Sequence, residues 1–166
     1  AMGSVVAASG AYVVLMHNRS KPRDAVQEAR LGGRYVGVNY ADLIGDVITE
    51  LRESIALAKA AGIDDERVLV DPGIGFGKTV EQNLELVSRF DAFRSLGYPG
   101  LAGPSRKSFI GYTLDLPPDQ RAEGTAAVVA LCIDRGADIV RVHDVALISR
   151  VARMTDAVVR HRRQIA

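Results

Sequence analysis

The 166-residue chain is 48% hydrophobic and 25% charged, enough apolar material for one sizeable core and too little length for two. Lys+Arg 21 against Asp+Glu 20 leaves a formal net charge of +1, which excludes a general pull toward nucleic acid or an anionic membrane, so any anion site must be local. No secretory signal and no apolar run of membrane-spanning length stands out, and the single cysteine, Cys132, excludes a disulfide framework, so residues 1–166 read as one soluble, cytoplasmic domain.

In chain order, Ala1-Met2-Gly3-Ser4 reads either as a cloning scar or, with the residues to Ser9 and Gly10, as the last turns of a glycine-capped helix. On either reading the chain begins in the middle of a larger arrangement. A β-prone run, Ala11 to Met16, leads into the polar loop His17 to Arg23. A helix is expected over Asp42 to Ala61, where Leu43, Val47, Leu51 and Ile55 recur at helical spacing and Gly62 is the stop. Val68-Leu69-Val70 then runs into Asp71-Pro72-Gly73-Ile74-Gly75-Phe76-Gly77-Lys78, and a second helix fits Thr79 to Leu96. Gly100-Leu101-Ala102 is a third strand, followed by Gly103-Pro104-Ser105-Arg106-Lys107-Ser108. A long helix is expected from Asp119 to Arg135, a fourth strand from Ile139 to Val142, and a final helix with a basic end from Val145 to Arg160.

Strands apolar on both faces, alternating with helices, argue a parallel sheet covered by helices. Polar residues gather at the C-terminal ends of the strands, where both (β/α)8 barrels and open doubly-wound sheets build their sites. A full barrel takes eight βα units and typically about 250 residues, and this chain supplies roughly half of that.

Three of the strand ends carry chemistry. The loop from Asp71 to Thr79 falls one residue short of a phosphate loop, because Pro72 stands where the first glycine should be. Its glycines fit a plain βα turn as well as a turn that lets a ligand approach, whereas a carboxylate at a strand's C-terminal end, Asp71, points to a site. Ser105-Arg106-Lys107-Ser108 shares that rim. At the fourth tip, strand alternation puts Arg141 and His143 on one face and Val140 and Val142 on the other, a planar cation beside a titratable ring that suits a phosphate or diphosphate. His17 is either a rim residue or a satisfied core histidine, and His161 lies in an exposed basic tail. No two His or Cys residues have metal-ligand spacing, and no G-x-S-x-G elbow is present.

Taken together, Val14-Leu15-Met16-His17, the Asp71 to Lys78 loop, Gly103 to Gly111, Arg121-Ala122-Glu123-Gly124-Thr125 and Arg141-Val142-His143-Asp144-Val145 resemble dihydropteroate synthases, the folate-pathway transferases that sulfonamides inhibit. The resemblance implies a parallel (β/α)8 TIM barrel, usually a homodimer, of which this chain is roughly the C-terminal half. It implies condensation of p-aminobenzoate with hydroxymethyl-dihydropterin diphosphate, with Mg2+ held by the substrate diphosphate and by residues outside this chain. Ionised Asp71 would accept the adjacent N–H donors of the pterin edge, and Lys107 would donate to its acceptor edge. Met16 and Gly103 would line the slot, Phe76 would meet the benzoate ring and Ser108 its carboxylate, while Arg141 and His143 would hold the departing diphosphate. Lys107, Arg141 and His143 are thus the expected catalytic residues, with no metal ligand in this chain. The family's N-terminal strands and loops have no counterpart here, so the isolated chain is expected to be inactive.

Two other readings compete. A methyltetrahydrofolate-dependent methyltransferase shares the barrel and an aspartate-centred pterin pocket but needs no diphosphate site. A non-catalytic half-barrel, a fragment or paralogue, would bind pterin without turnover.

Overall fold

The computed structural model describes residues 2–35 and 38–165. The chain alternates strand and helix: α1 (Met2–Ser9), β1 (Val13–Met16), the two-residue strands β2 (Ala25–Val26) and β3 (Arg34–Tyr35), α2 (Leu43–Ala60), β4 (Val68–Asp71), α3 (Val80–Ser88), β5 (Leu101–Ala102), α4 (Ser108–Leu114), α5 (Ala122–Asp134), β6 (Ile139–Val140) and α6 (Val145–Ile165). β1 pairs parallel to β4 and β5 parallel to β6, and a parallel bridge from Val70 to Gly100 links the two pairs. The order is therefore β1-β4-β5-β6, an α/β fold with its long-range strands parallel. β2 and β3 form a small antiparallel hairpin apart from them.

The expected first helix is present, although Ala1 lies outside the described residues, and Gly10 closes it at φ 67. α2 matches its periodicity: Leu43, Val47, Leu51, Ile55 and Ala58 are buried, and beyond it Gly62 takes φ 83. Two helices differ from expectation. The Thr79 to Leu96 stretch breaks at Arg89, and Phe90–Leu96 tightens to a 3-10 helix. That winding aligns side chains three apart, and Phe90 and Phe93 meet edge to face in the core at 5.8 Å. The Asp119 to Arg135 stretch begins as a short 3-10 turn after Pro117, and α5 starts only at Ala122. The fourth strand stops at Val140 rather than Val142. α4 and the β2-β3 hairpin were not expected.

One core lies among α2, α3, α4 and α5, built from Val47, Leu51, Leu86, Phe90, Phe93, Phe109 and Ile110, with Ile74 reaching in from the loop after β4. A second joins Ile55, Ile63, Val68 and Val70 to α1 and to Val13 and Leu15 of β1. The other face of β1 is different: Val14 is 42% and Met16 37% exposed. Among the described residues no helix is long and apolar enough to cross a membrane.

Candidate active site

Parallel pairing brings the C-terminal ends of the four strands to one rim. Asp71, the last residue of β4, lies opposite Met16 in register and is 2% exposed. Its backbone oxygen accepts from His17 N at 2.9 Å, and its Oδ1 accepts from Gly73 N at 2.7 Å. Arg141 Nη2 stands 3.7 Å from Oδ2. Burial pushes the Asp71 carboxyl above its ordinary range, opposed by the Gly73 amide and by the charges of Lys107, Arg141 and Lys78. One desolvated carboxylate therefore lies in the field of three basic side chains.

The glycines after Asp71 are there for close approach. A Cβ at Gly73, φ 74, would lie 1.9 Å from the His17 carbonyl oxygen, and one at Gly75, φ 79, would lie 2.3 Å from Lys107 Cδ. Lys107 thus lies directly across this loop. Its Nζ donates to Ile74 O and sits 4.1 Å from the centre of the Phe76 ring. Burial lowers its ammonium to about 8, with Asp71 opposing the shift.

Lys78, at the end of the same loop, is 3% exposed. Its Nζ donates to Phe76 O at 2.9 Å and Gly73 O at 3.2 Å and faces His17 Nδ1 at 3.1 Å. Burial lowers Lys78 to about 7. His17 Nε2 lies 3.0 Å from Glu50, which Arg19 also grips, and the Arg19 guanidinium stacks 4.4 Å from the Tyr40 ring. With Lys78 donating to Nδ1, the network assigns the His17 proton to Nε2. Burial, then the charge of Lys78, lowers His17 to about 4. Of the two readings of His17, the satisfied buried histidine holds. Sequence reasoning gave Lys78, Glu50 and Arg19 no role; the final Lys of the near-miss phosphate loop was the one available signal.

The fourth tip needs a correction. Arg141 N still donates to Ala102 O at 2.9 Å, but His143 N turns away to Ser105 Oγ at 3.0 Å, and His143 Nδ1 meets that same hydroxyl at 2.8 Å. Strand alternation has ended by then, so Arg141 and His143 have separate anchors: Asp71 for one, Ser105 for the other. Arg141 passes close to Gly103, where a Cβ would come within 3.2 Å of Nη2. Ser108 is the first residue of α4, next to Lys107. Arg141 links Asp71 to Gly103, Lys107 lies over Phe76, and the charges of Lys107 and Asp71 act on each other across the loop without an ion pair; His143 flanks these groups through Ser105, Met16 through strand register and Ser108 through the chain. His161 is exposed. A cleft of about 540 Å³ lined by Arg94, Tyr98, Gly136 and Asp138 opens at the opposite ends of β5 and β6, away from these charges. Among the described residues no three His, Cys, Asp or Glu side chains gather to hold a metal ion.

The strand tips of a parallel α/β sheet thus bring a buried aspartate and basic side chains to one rim, and this chain belongs to the family described as Pterin binding enzyme, whose model matches residues 1–143. Within that class it is similar to dihydropteroate synthases: 47% identical over 156 residues to that of Bacillus subtilis, covering 94% of this chain and 49% of the relative. It is 44% identical over 160 residues to that of Clostridium beijerinckii, covering 96% of this chain and 54% of the relative. A solved structure of the Yersinia pestis dihydropteroate synthase with a sulfonamide drug complex superposes with a TM-score of 0.85 at 32% identity, over 94% of this chain and 54% of that one. A dihydropteroate synthase from Coxiella burnetii in complex with pteroic acid gives 0.82 at 34% identity, over 95% and 54%. The chain spans about half the length of the curated relatives it matches.

Proposed function

We propose that this chain carries the pterin and diphosphate subsites of a dihydropteroate synthase, the transferase that joins p-aminobenzoate to hydroxymethyl-dihydropterin diphosphate in folate synthesis. The observation that carries the reading is the buried Asp71 carboxylate, with Arg141 3.7 Å away and Lys107 close enough for its charge to act on it. A pterin edge presents two adjacent N–H donors, and Asp71 would accept both; Lys107 would donate to the acceptor edge, giving up its contact with Ile74 O to do so. Met16 and Gly103 would flank the ring. Phe76 would meet the benzoate ring, and Ser108, at the start of α4, its carboxylate.

No side chain acts as a nucleophile. The C–O bond to diphosphate breaks with its electron pair leaving on oxygen, the pterin methylene carries the positive charge, and the aniline nitrogen attacks it and sheds a proton. Arg141 and His143 would stabilise the departing anion, and the cluster would hold the pterin in line for attack. Magnesium, implied by the family resemblance, would be held by the diphosphate and by residues outside this chain, since among the described residues no three His, Cys, Asp or Glu side chains gather to hold one.

The parallel order β1-β4-β5-β6 and the exposed Val14 and Met16 support a half-barrel whose inner face awaits further strands. A single domain over 1–166, a cytoplasmic setting and a homodimer complete the reading; exposed Leu131, Leu147, Met154 and Val158 on the packed α5 and α6 give a second copy apolar surface to cover. The Arg141 and His143 subsite favours the synthase over a methyltransferase, which has no diphosphate to hold. The half-length span favours, as a second reading, a fragment that binds pterin without turnover.

Asp71→Asn keeps the shape and removes the charge. Losing hydrogen bonds to a charged group costs about 1.5–3 kcal/mol, so pterin affinity should fall roughly ten- to a hundredfold. Unchanged affinity by calorimetry, in a variant with unaltered circular dichroism, would remove Asp71 from the site.

A further inference from the structure

Arg106 stands between Ser105, which anchors His143, and Lys107, which crosses the Asp71 loop. Its φ is 55, in the left-handed region that side chains other than glycine rarely adopt. Strain of that kind persists only where the surroundings hold it, and here the holding groups are visible. The Arg106 N–H donates to Thr125 Oγ1 at 3.0 Å, and its carbonyl accepts from Arg121 Nη1 at 3.0 Å. Its guanidinium is gripped by Asp144, with Nε 2.8 Å from Oδ2. Thr125 is 0% and Arg121 2% exposed, and their polar atoms are turned to backbone groups of this chain. Arg121 further donates to Leu116 O at 3.0 Å and Leu31 O at 2.9 Å, tying this turn to the loop before β3.

We propose that Thr125 and Arg121, with Asp144, are positioning residues: they lock the left-handed turn at Arg106 and thereby aim Lys107 into the Asp71 site. The proposal rests on the reading of Lys107 as a pterin contact. A turn released from this clamp relaxes toward negative φ, which swings Lys107 off the Phe76 ring and out into solvent.

Thr125→Val keeps the shape and deletes the acceptor, and Thr125→Ser keeps the acceptor. Two readouts are followed: the NMR titration of the Lys107 ammonium together with the ring-current shift of its Hε protons, and pterin affinity by calorimetry in the Lys107 and Lys107→Met backgrounds. In Thr125→Val the Lys107 midpoint should climb from about 8 toward its ordinary 10.5 and the ring-current shift should shrink. Pterin affinity should fall about tenfold, the equivalent of one hydrogen bond, and by less than about twofold once Lys107 is Met. Thr125→Ser should restore both. An unmoved Lys107 in folded Thr125→Val, or an equal affinity loss in both backgrounds, overturns the proposal. A second pair decides the matter if Thr125→Val does not fold. Glycine accepts φ 55 without a clamp, so adding Arg106→Gly to Thr125→Ala should bring the Lys107 titration closer to the parent than Thr125→Ala alone does; equal titrations in the two contradict the clamp. Failure of the parent chain to bind pterin defeats the functional reading and leaves the titration arm to judge the clamp by itself.

Discussion

The Arg141 guanidinium lies 3.7 Å from the buried Asp71 carboxylate, yet 61% of its side chain remains exposed. One end of its reach is fixed, and the rest is available to an anion. Arg141→Ala should therefore weaken a pterin that carries diphosphate more than the same pterin without it, by roughly tenfold or more for a charge-assisted contact. Equal losses for both ligands, measured side by side by calorimetry, would reduce Arg141 to a packing residue. The meeting of Asp71 and Arg141 was legible because a charge at the end of an apolar strand points to a site, whereas Lys107, five residues beyond β5, took its role from the family resemblance. Ser105, Thr125 and Arg121 stood in quoted motifs, but their contacts were not legible, since their partners are set by folded loops: Arg121 meets Leu31 across 90 residues of sequence, and no local pattern encodes that.

Among the elements, α2 and the parallel strands were readable from periodicity and length. The hairpin of β2 and β3 was not, because two-residue strands offer no alternation, and the seven-residue α4 contains Gly111 and Thr113. The break at Arg89 comes from packing two phenylalanines, which helical spacing cannot foretell. The packing of His17, in the loop after β1, against Lys78, in the loop after β4, carries a pH signature. Folded His17 takes its proton near 4, whereas an unfolded histidine takes it near 6.5, so the unfolded chain binds more protons between those values. Stability should thus fall as pH drops from about 6.5 to about 4, by at most about 3 kcal/mol from this residue. Lys78, lowered to about 7 from 10.5, acts in the same sense at higher pH, adding stability as pH rises through that interval. Urea midpoints of the parent and of His17→Gln at pH 7, 5 and 4 test this. The parent should show the steeper decline, and parallel curves would mean that His17 is not held neutral by the fold.

At the scale of the whole molecule, four parallel strands leave β1 and β6 as edges, and Val14, Met16 and Ile139 face outward with apolar surface. In the proposed reading the rim would supply groups for the pterin and the leaving anion, and orientation with water excluded is what the rate would depend on. The parallel α/β architecture was legible as βα rhythm, and the chain spans about half the length of the curated relatives it matches. The central claim is that the pterin and diphosphate subsites lie here and turnover needs the remaining strands. The most direct measurement is dihydropteroate formation from p-aminobenzoate and pterin diphosphate with Mg2+. It compares this chain alone with this chain plus the remaining N-terminal half of a dihydropteroate synthase added as a separate polypeptide. The account predicts no detectable product from the chain alone and measurable product from the pair, abolished by Asp71→Asn. Robust turnover by the chain alone, or turnover by the pair that survives Asp71→Asn undiminished, would contradict it.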